Sequence, residues 1–355
     1  MSILEDKDPQ LTPISTYGEF GLIKHLTENF SFSNPSTEIA VGDDAAVIDA
    51  NNQKVVVTTD MLAEGVHFNL GYVPLKHLGY KAVVVNVSDL AAMNATPTQI
   101  LVSMAVSSRF PVEALEEIYA GIALACERYK VDLIGGDTTS STSGLIMSIT
   151  AIGLENSENL IKRSGAKVND LLVVTGDLGG AYAGLQILER EHAVFLANPN
   201  MQPEMEGYDY ILERQLKPEA RTDIKKILTE LDIKPTSMID VSDGLSSEIL
   251  HLSDQSKVGF RLYEEKIPMD SLTISTAEEL NLNPVMCALN GGEDYELLFT
   301  IAPDDFDKIR NHPDFSVIGH AVDLDQGNYL VARGSNELIA LNAQGWDAFL
   351  KRKES

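Results

Sequence analysis

Apolar residues follow two different spacings along the chain, and each spacing predicts a different kind of element. Every second residue is apolar in 100–106, which predicts a β-strand over 99–107, whereas the apolar residues of 111–130 recur on one face of a helix. The same criteria predict further helices at 19–29, 75–93, 220–231 and 245–252, and one that ends at Arg190. They predict further strands at 39–48, 55–60, 131–134, 145–154, 171–175, 238–241, 258–263, 295–300 and 315–320. Strands that alternate with helices in this manner indicate an α/β fold.

Polar and turn-forming residues at 155–159 and 164–170 interrupt this alternation and predict a boundary between two domains. A length of 355 residues also favours two domains over one. Residues 191–207 contain two prolines, three glutamates and two asparagines, which is typical of a surface insertion. The predicted organisation is a flexible arm at 1–16, an N-terminal α/β domain at 17–155, and a C-terminal α/β domain at 160–355 that carries the insertion.

The charge of the chain restricts its partners. Asp and Glu number 53 against 27 Lys and Arg, so the formal net charge is −26. Such a surface repels phosphate backbones and anionic lipids, which argues against nucleic-acid and membrane partners and favours divalent cations. Cys126 and Cys287 are the only cysteines and lie far apart, so neither a disulfide framework nor a zinc site is predicted. Because the acidic N-terminus has no apolar segment, a signal peptide is not expected, and the predicted location is the cytoplasm.

Acidic residues recur where predicted strands end. The segment 42–47 contains Asp43 and Asp44, Thr58-Thr59-Asp60 ends the 55–60 strand, and Gly135-Gly136-Asp137 follows the 131–134 strand. Ligand groups in α/β proteins gather at such strand ends, and glycine lets a ligand approach the backbone. Each motif also has a plain structural interpretation: an exposed Gly-Asp turn, an aspartate that terminates a strand, or a tight turn between two strands.

Two further motifs place acids on or beside a predicted helix. Asp89 lies on the apolar face of its helix, where a carboxylate requires an ion pair or a metal, and Asn86 is a neighbouring candidate partner. Asp240, Ser242 and Asp243 lie between a strand and a helix. Ser242 or Asp243 could cap that helix, or the start of the helix could bind an anion.

A shared chemistry emerges when these motifs are taken together. Gly291-Gly292-Glu293 repeats the Gly-Gly-acid pattern before another strand, although in isolation a simple turn explains it better. Gly176–Gly180 lacks the GxGxxG spacing of a dinucleotide-binding turn, and no P-loop, protein-kinase or GxSxG motif occurs. Carboxylates beside Gly, Ser or Thr, with few histidines or cysteines, favour Mg²⁺. Since proteins hold Mg²⁺ together with substrate phosphates, the pattern indicates phosphoryl transfer.

Short motifs occur in a fixed order along the chain, at 18–20, 42–46, 58–60, 65–68, 86–93, 135–139, 163–166, 240–245 and 291–297. Together they resemble the thiamine-monophosphate kinase family of the aminoimidazole-ribonucleotide-synthetase-like, or PurM-like, superfamily, over roughly residues 18–346. The resemblance implies a two-domain α/β fold whose N-terminal sheet pairs across a homodimer. It also implies ATP-dependent phosphorylation of thiamine monophosphate to the diphosphate, by direct in-line transfer with several Mg²⁺ ions.

The resemblance also implies a role for individual residues. The implied metal ligands are Asp44, Thr58, Thr59, Asp60, Asp89, Asp137, Asp240 and Asp243, of which Asp60, Asp89 and Asp137 are expected to be catalytic. The residues expected to contact ATP are Tyr119, Gly136, Asp137, Arg163 and Ser242. The residues expected to contact thiamine monophosphate are His67, Glu293 and Trp346. Trp346 is the only tryptophan, and its alternative role is to anchor the last helix.

Two other interpretations of the sequence stay open. One is an ATP-dependent synthetase of the purine-pathway amide cyclase type, a sibling in the sense of another member of the same superfamily. Siblings that use a reactive cysteine near the N-terminus or at the C-terminus are disfavoured, because neither position here holds one. The other is a non-enzymatic protein that binds divalent cations, which would place its acids on exposed loops and not on buried segments.

Overall fold

The computed structural model of the protein describes residues 11–13, 16–39 and 47–343. The helices in these ranges are α1 Gly18–Thr27, α2 Leu75–Ala92, α3 Val112–Tyr129, α4 Gly180–Ala197, α5 Asp209–Leu216, α6 Ile224–Glu230, α7 Leu245–Ser256, α8 Ser271–Glu279, α9 Pro284–Asn290 and α10 Phe306–Ile309. The strands are β1 Thr37–Ile39, β2 Val47–Ile48, β3 Lys54–Ala63, β4 Thr96–Ser107, β5 Asp132–Ser141, β6 Leu145–Glu155, β7 Leu171–Thr175, β8 Ser237–Asp240, β9 Gly259–Tyr263, β10 Leu297–Ile301, β11 Phe315–Val322, β12 Asn328–Val331 and β13 Leu338–Ala340. None of the helices described is both long and apolar enough to cross a membrane.

The chain divides into two compact units. Unit one comprises the residues up to Asn52, Val57–Asn86 and Pro97–Gly153. Unit two comprises Gln53–Val56, Val87–Thr96 and the residues from Leu154 onward. Both units combine strands with helices, which confirms the α/β class expected from the sequence. The limits 17–155 and 160–355 for two domains stay a prediction.

Unit one is built on a four-stranded sheet with the order β3-β6-β4-β5, in which β4 and β5 run parallel. Along β4, Ile100, Val102 and Met104 are buried, whereas Ser103 between them is exposed. Because successive strand residues point to opposite faces, one face of the sheet is apolar and covered and the other faces solvent. The solvent-facing side of this sheet is a candidate contact surface.

Two glycines bring helices α2 and α3 into backbone contact. A Cβ on Gly79 would lie 2.0 Å from Ile118 O, and a Cβ on Gly121 would lie 1.9 Å from Lys76 O. Atoms cannot approach this closely, so a side chain at either position would push the helices apart. The contact therefore fixes α2, the helix that carries Asn86 and Asp89.

Unit two is built on a seven-stranded sheet with the order β13-β12-β9-β11-β7-β10-β8. Its neighbours pair antiparallel except for β12 and β9, which run parallel. Leu172 and Val174 of β7 belong to one apolar core, and Val173 between them belongs to another. The sheet therefore has an apolar core on each face. Leu297 at the start of β10 pairs with Asp240 at the end of β8, so the segments 240–244 and 291–296 lie side by side.

Strand β5 is longer than the sequence predicts, and the difference concerns a candidate site. It runs to Ser141, so Gly135-Gly136-Asp137 lies within the strand and the interpretation as a turn is wrong. Gly136 has a φ of +152°, and a Cβ there would lie 1.8 Å from Val102 O on the neighbouring strand. The glycine thus permits close strand pairing. From the local sequence, a glycine with this role inside a strand cannot be distinguished from a glycine that ends one. Strand β3 also continues to Ala63, which places Thr58-Thr59-Asp60 in mid-strand.

Three other predictions of secondary structure are wrong. A single strand at 39–48 is excluded because β1 and β2 pair antiparallel, with Thr37 opposite Ile48. Helix α4 continues past Arg190 to Ala197, so only part of the region 191–207 lies outside a helix. The N–H of Glu204 donates to the buried Glu191 carboxylate (2.8 Å) and ties this region back to α4. The apolar pattern also fails to predict α5, α8, α9, α10, β12 and β13.

Candidate active site

Thr58 and Asp60 lie on one face of β3, the strand at one edge of the unit-one sheet. Both residues are half-buried, and the backbone N–H of Asp60 donates to Oδ1 of Asn86 on α2 (3.0 Å). Asn86 is fully buried, so this hydrogen bond fixes the β3 backbone at the acid. Asn86, which the sequence offers as a partner for Asp89, thus positions Asp60.

Thr59 lies on the same strand as Asp60, and His67 lies in the turn that follows the strand. The Thr59 side chain lies on the opposite face from Asp60, where its Oγ1 donates to Ile149 O (3.1 Å). His67 accepts a hydrogen bond from the N–H of Ala63 at its Nδ1 (3.1 Å). Because an accepting Nδ1 carries no proton, the neutral ring has its proton on Nε2 and presents that nitrogen as a donor.

Asp137 lies on β5, at the opposite edge of this sheet from Asp60. With β6 and β4 between them and about 4.8 Å per strand step, the two acids are separated by roughly 14 Å across the sheet. Asp137 is exposed, as is Gly136 beside it. Tyr119 on α3 is buried and hydrogen-bonds with the side chain of Thr138, and burial raises the pKa of its phenol to about 12.

Asp240 ends β8 as a buried carboxylate, 2% exposed. Ser88 Oγ on α2 donates to its Oδ2 (2.7 Å), which fixes the carboxylate direction. Burial, and next the negative charge of Asp89, raise the pKa of Asp240 to about 7. Two acids whose charges oppose each other in a buried place form a position where a cation is strongly favoured. The structure therefore brings Asp89 and Asp240 together, as a shared site requires.

The turn from β8 to α7 holds Ser242 and Asp243 and contains an acid that sequence reasoning missed. Glu248, in the first turns of α7, is buried and accepts a hydrogen bond from the N–H of Asp243 (3.0 Å). Burial raises the pKa of Asp243 and raises that of Glu248 to about 8, while the positive charge of the exposed Arg163 opposes both shifts. An acid in the first turn of a helix that follows an acidic turn is the one signal that could have identified Glu248.

Glu293 lies beside this turn, held by its backbone and by its side chain. Its N–H donates to Ser242 O (2.7 Å), and its carboxylate accepts from Nε2 of Gln215 on α5 (2.8 Å). Glu293 has a φ of +60° and Tyr295 a φ of +53°, which are left-handed conformations that non-glycine residues seldom adopt. Such backbone strain persists only where the surrounding contacts impose it, and it is common at ligand sites.

Asp294 and Glu296, the acids that follow Glu293, are buried anchors of this segment. Asp294 accepts a hydrogen bond from the N–H of Gly179 at the start of α4 (2.8 Å). Its carboxylate therefore occupies the helix N-terminus where the phosphate of a dinucleotide would bind. Burial raises the pKa of Asp294 to about 7. Glu296 accepts from Arg214 Nη1 (2.9 Å) and Arg221 Nη1 (2.8 Å).

The predicted site residues therefore fall into separate groups within each unit. Unit one holds Thr58 with Asp60 at one sheet edge and Asp137 at the other, and unit two holds Asp89 with Asp240 and Ser242–Asp243 with Glu293. Asp44 and Trp346 lie outside the described residues, so their roles stay predictions. In the part of the chain that is described, no three His, Cys, Asp or Glu side chains converge closely enough to hold a metal ion by themselves.

Neither cysteine of the folded protein should react with a thiol reagent such as DTNB at pH 8. Burial and the charge of Asp132 raise the pKa of Cys126 to about 12, and burial raises that of Cys287 to about 11. The thiolate fraction of each at pH 8 is thus about one in a thousand or less. In urea both thiols should react fully, which provides the positive control. Rapid reaction in the folded protein would contradict the expectation and show that at least one thiol is accessible and ionises readily.

Comparisons with known proteins agree with this arrangement. A family profile described as AIR synthase related protein, N-terminal domain, matches residues 42–154. The thiamine-monophosphate kinase of Bacillus subtilis (strain 168) is 32% identical over 337 residues, which cover 93% of this chain and 99% of that protein. The crystal structure of the thiamine-monophosphate kinase from Stenotrophomonas maltophilia K279a has a TM-score of 0.74 and 28% identity, over 89% of this chain and 95% of that one. AaThiL complexed with AMPPCP and TMP has a TM-score of 0.72 and 29% identity, over 96% of this chain and all of that one.

The α/β architecture of both units, the family profile and the solved structures together make the chain a member of the AIR-synthase-related, PurM-like class of α/β proteins. Within that class the similarity extends over nearly the full length of several thiamine-monophosphate kinases. The chain belongs to the thiamine-monophosphate kinase family. The resemblance drawn from the ordered sequence motifs is thereby confirmed.

Proposed function

We propose that the chain transfers the γ-phosphoryl group of ATP to the phosphate of thiamine monophosphate, giving thiamine diphosphate and ADP. The observation that carries this proposal is the similarity, over 96% of the chain, to AaThiL complexed with AMPPCP and TMP. AMPPCP is an analogue of ATP, so that complex holds the two kinds of reactant together. The buried Asp240 and the half-buried Asp89 beside it support a site for phosphates and their cations.

The acceptor explains why the site needs no strong general base. A phosphate oxygen of thiamine monophosphate is already ionised near pH 7 and can attack the γ-phosphorus directly. Phosphoryl transfer of this kind depends on positioning and on offsetting negative charge. Within this proposal the bond from the γ-phosphorus to the ADP oxygen breaks as the bond to the acceptor oxygen forms, without a phosphorylated protein intermediate.

Magnesium fits the acids that the structure describes. All the candidate ligands are oxygen donors. Burial, and next the charge of Asp89, raise the pKa of Asp240, and a bound cation would offset this rise. The absence of a three-acid cluster among the described residues agrees with the habit of Mg²⁺ of using one or two carboxylates together with water and substrate phosphates. The residues proposed to hold Mg²⁺ are Asp44, Thr58, Thr59, Asp60, Asp89, Asp137, Asp240 and Asp243, although the Thr59 side chain points away from Asp60. Bound there, the ions would offset the negative charge of the phosphates.

The remaining candidates divide between the two substrates. Gly136, Asp137, Arg163 and Ser242 are proposed to contact ATP, whereas Tyr119 is a weaker candidate because its buried hydroxyl pairs with Thr138. His67 can donate from Nε2 to a phosphate oxygen, and Glu293 can face the cationic thiazolium. Trp346 is proposed to stack on the thiamine rings, since tryptophan is the best cation–π partner.

The test of the reaction is an assay with ATP, Mg²⁺ and a panel of acceptors. Thiamine monophosphate should yield thiamine diphosphate, identified by mass, whereas free thiamine and aminoimidazole precursors should yield no phosphorylated product. Comparable phosphorylation of free thiamine, or release of inorganic phosphate alone, would contradict the assignment. Conversion of an aminoimidazole precursor would favour the sibling synthetase.

A thermal-shift titration separates the enzyme from a protein that only binds cations. ADP and Mg²⁺ together should raise the melting temperature more than either does alone, because a ligand stabilises the folded state in proportion to its binding. A cation-binding protein would respond to Mg²⁺ and ignore the nucleotide.

The proposal includes a homodimer, supported by the exposed face of the unit-one sheet. Val57 and Met61 of β3 and Ile146 of β6 lie on this face and are 60%, 59% and 36% exposed. Large apolar side chains on an exposed sheet near an edge strand favour contact with another protein surface, here a second copy. We expect Val57→Glu to shift the mass measured by light scattering from dimer to monomer. Val168→Glu, at another exposed valine, is the control, and a monomeric wild type would contradict the dimer.

A further inference from the structure

Helix α5 sends polar side chains to Asp177 and to the acidic segment 291–296 of unit two, although no motif includes this helix. Tyr210 donates its hydroxyl to Asp177 (2.6 Å), and Arg214 donates to Glu296 (2.9 Å). Gln215, the next residue, donates to Glu293 (2.8 Å). The helix follows the region 198–207 that sequence reasoning leaves without a function. These contacts make α5 a support for the segment around Glu293.

The contact between Gln215 and Glu293 has the features of a positioning interaction. Gln215 is buried, 6% exposed, whereas Glu293 is half-buried and retains access to solvent. The Glu293 backbone is already fixed by its hydrogen bond to Ser242 O and by a left-handed conformation. The remaining freedom of the residue lies in its side chain, and Gln215 limits that freedom.

The chemistry of the donor matters as much as its position. A glutamine amide is neutral, so it fixes a carboxylate without cancelling its charge. The neighbouring cation on α5, Arg214, directs its guanidinium to Glu296 and to Asp177 O and Asp294 O. The Gln215 contact therefore directs the Glu293 carboxylate without neutralising it, and a directed carboxylate suits a cationic heterocycle better than a phosphate.

We infer that Gln215 is a positioning residue that orients the Glu293 carboxylate toward the cationic ring of the acceptor and so sets the affinity for that acceptor. The inference rests on the proposed function, in which Glu293 contacts thiamine monophosphate. Gln215 acts through Glu293 and touches neither ATP nor the transferred phosphoryl group.

The first measurement compares Gln215→Met with wild type in steady-state kinetics. Methionine has nearly the volume of glutamine but no amide donor, so it removes this hydrogen bond to the Glu293 carboxylate. We expect KM for thiamine monophosphate to rise about five- to tenfold, as for loss of one hydrogen bond to a charged group. We expect kcat and KM for ATP to change less than about twofold. Gln186→Met is the matched control, because Gln186 makes a similar contact with Glu189 on an exposed surface (3.3 Å) and should change nothing.

A double-mutant cycle tests whether Gln215 acts through Glu293. Glu293→Gln alone should raise KM for thiamine monophosphate, and adding Gln215→Met should raise it no further, because the partner is already lost. Additive effects would show that Gln215 acts by another route. Should Gln215→Met fail to fold, Gln215→Asn withdraws the amide by one carbon without adding apolar atoms, and the same pattern is expected from it.

The outcomes separate the inference from the proposed function. If wild type phosphorylates thiamine monophosphate but the Gln215 variants keep its KM, the inference is wrong and the function stands. Equal increases in KM for both substrates, with a lower melting temperature, would assign Gln215 a purely structural role and also overturn it. If wild type does not use thiamine monophosphate at all, the function and the inference fall together.

Discussion

Asp240→Asn should lower kcat at least about 100-fold, or about 2.7 kcal/mol in the barrier, without making the metal-free protein less stable. Asparagine can still accept the hydrogen bond from Ser88 Oγ, so the geometry of the site is retained. What it lacks is the negative charge that would hold a cation beside the phosphates. The folded protein disfavours that same charge, since burial and Asp89 raise the pKa of Asp240 to about 7.

The pH dependence of this stability effect has a definite sign. An unfolded Asp240 releases its proton near pH 3.8, whereas the folded carboxyl keeps it until about pH 7. Wild type therefore loses stability from this group as the pH rises between those values, and the variant does not. Urea unfolding in EDTA should show the advantage of Asp240→Asn growing from pH 4 to pH 7. Asp254→Asn, an exposed acid on α7, is the control with unchanged activity. Activity within threefold of wild type would remove Asp240 from the site.

The strongest elements of the fold could be predicted from the sequence because their patterns are long. Helices α2 and α3 span 18 residues each and strand β4 spans 12, so each contains enough apolar residues to be recognised. Helices α8 and α9 are nine and seven residues long, and their apolar pattern is too short to stand out. The sequence nevertheless contains capping residues that mark where α8 and α9 begin. Asp270 accepts from the N–H of Leu272 (2.7 Å), and Asn283 caps a helix whose first residue is proline.

The candidate site shows a sharper limit of sequence reasoning. Carboxylates beside glycines can be recognised as a set, but whether each one faces a ligand or the interior depends on distant residues. Glu293 and Glu296 belong to one short motif, yet Glu296 pairs with Arg214, which lies 82 residues away in sequence. Similarly, only glycine fits at position 136 because Val102 O of the neighbouring strand lies where a Cβ would be. The sequence around Gly136 gives no sign of this contact. Contacts of this kind are fixed by tertiary packing.

Arg214→Met should lower the free energy of unfolding by about 3 kcal/mol or more at pH 8, the usual cost of removing one partner of a buried ion pair. Arg214 donates to Glu296 and lies 3.7 Å from the Asp294 carboxylate, and both acids are almost completely buried. Arg221 would still pair with Glu296, so the larger loss falls on Asp294. Arg214→Lys should recover only part of the lost free energy of unfolding, because a single ammonium cannot reproduce the forked contacts of a guanidinium.

The loss in free energy of unfolding that Arg214→Met causes should become smaller as the pH falls from 8 to 5. Burial already raises the pKa of Asp294 to about 7 in the presence of Arg214, and removing the cation raises it further. The folded variant then takes up a proton that the unfolded chain does not bind, so its stability recovers relative to wild type as the pH falls. Arg310→Met, which removes an exposed pair with Asp307, should lose less than about 0.5 kcal/mol at either pH. A deficit independent of pH would show that Arg214 stabilises the protein by packing and not by balancing these acids.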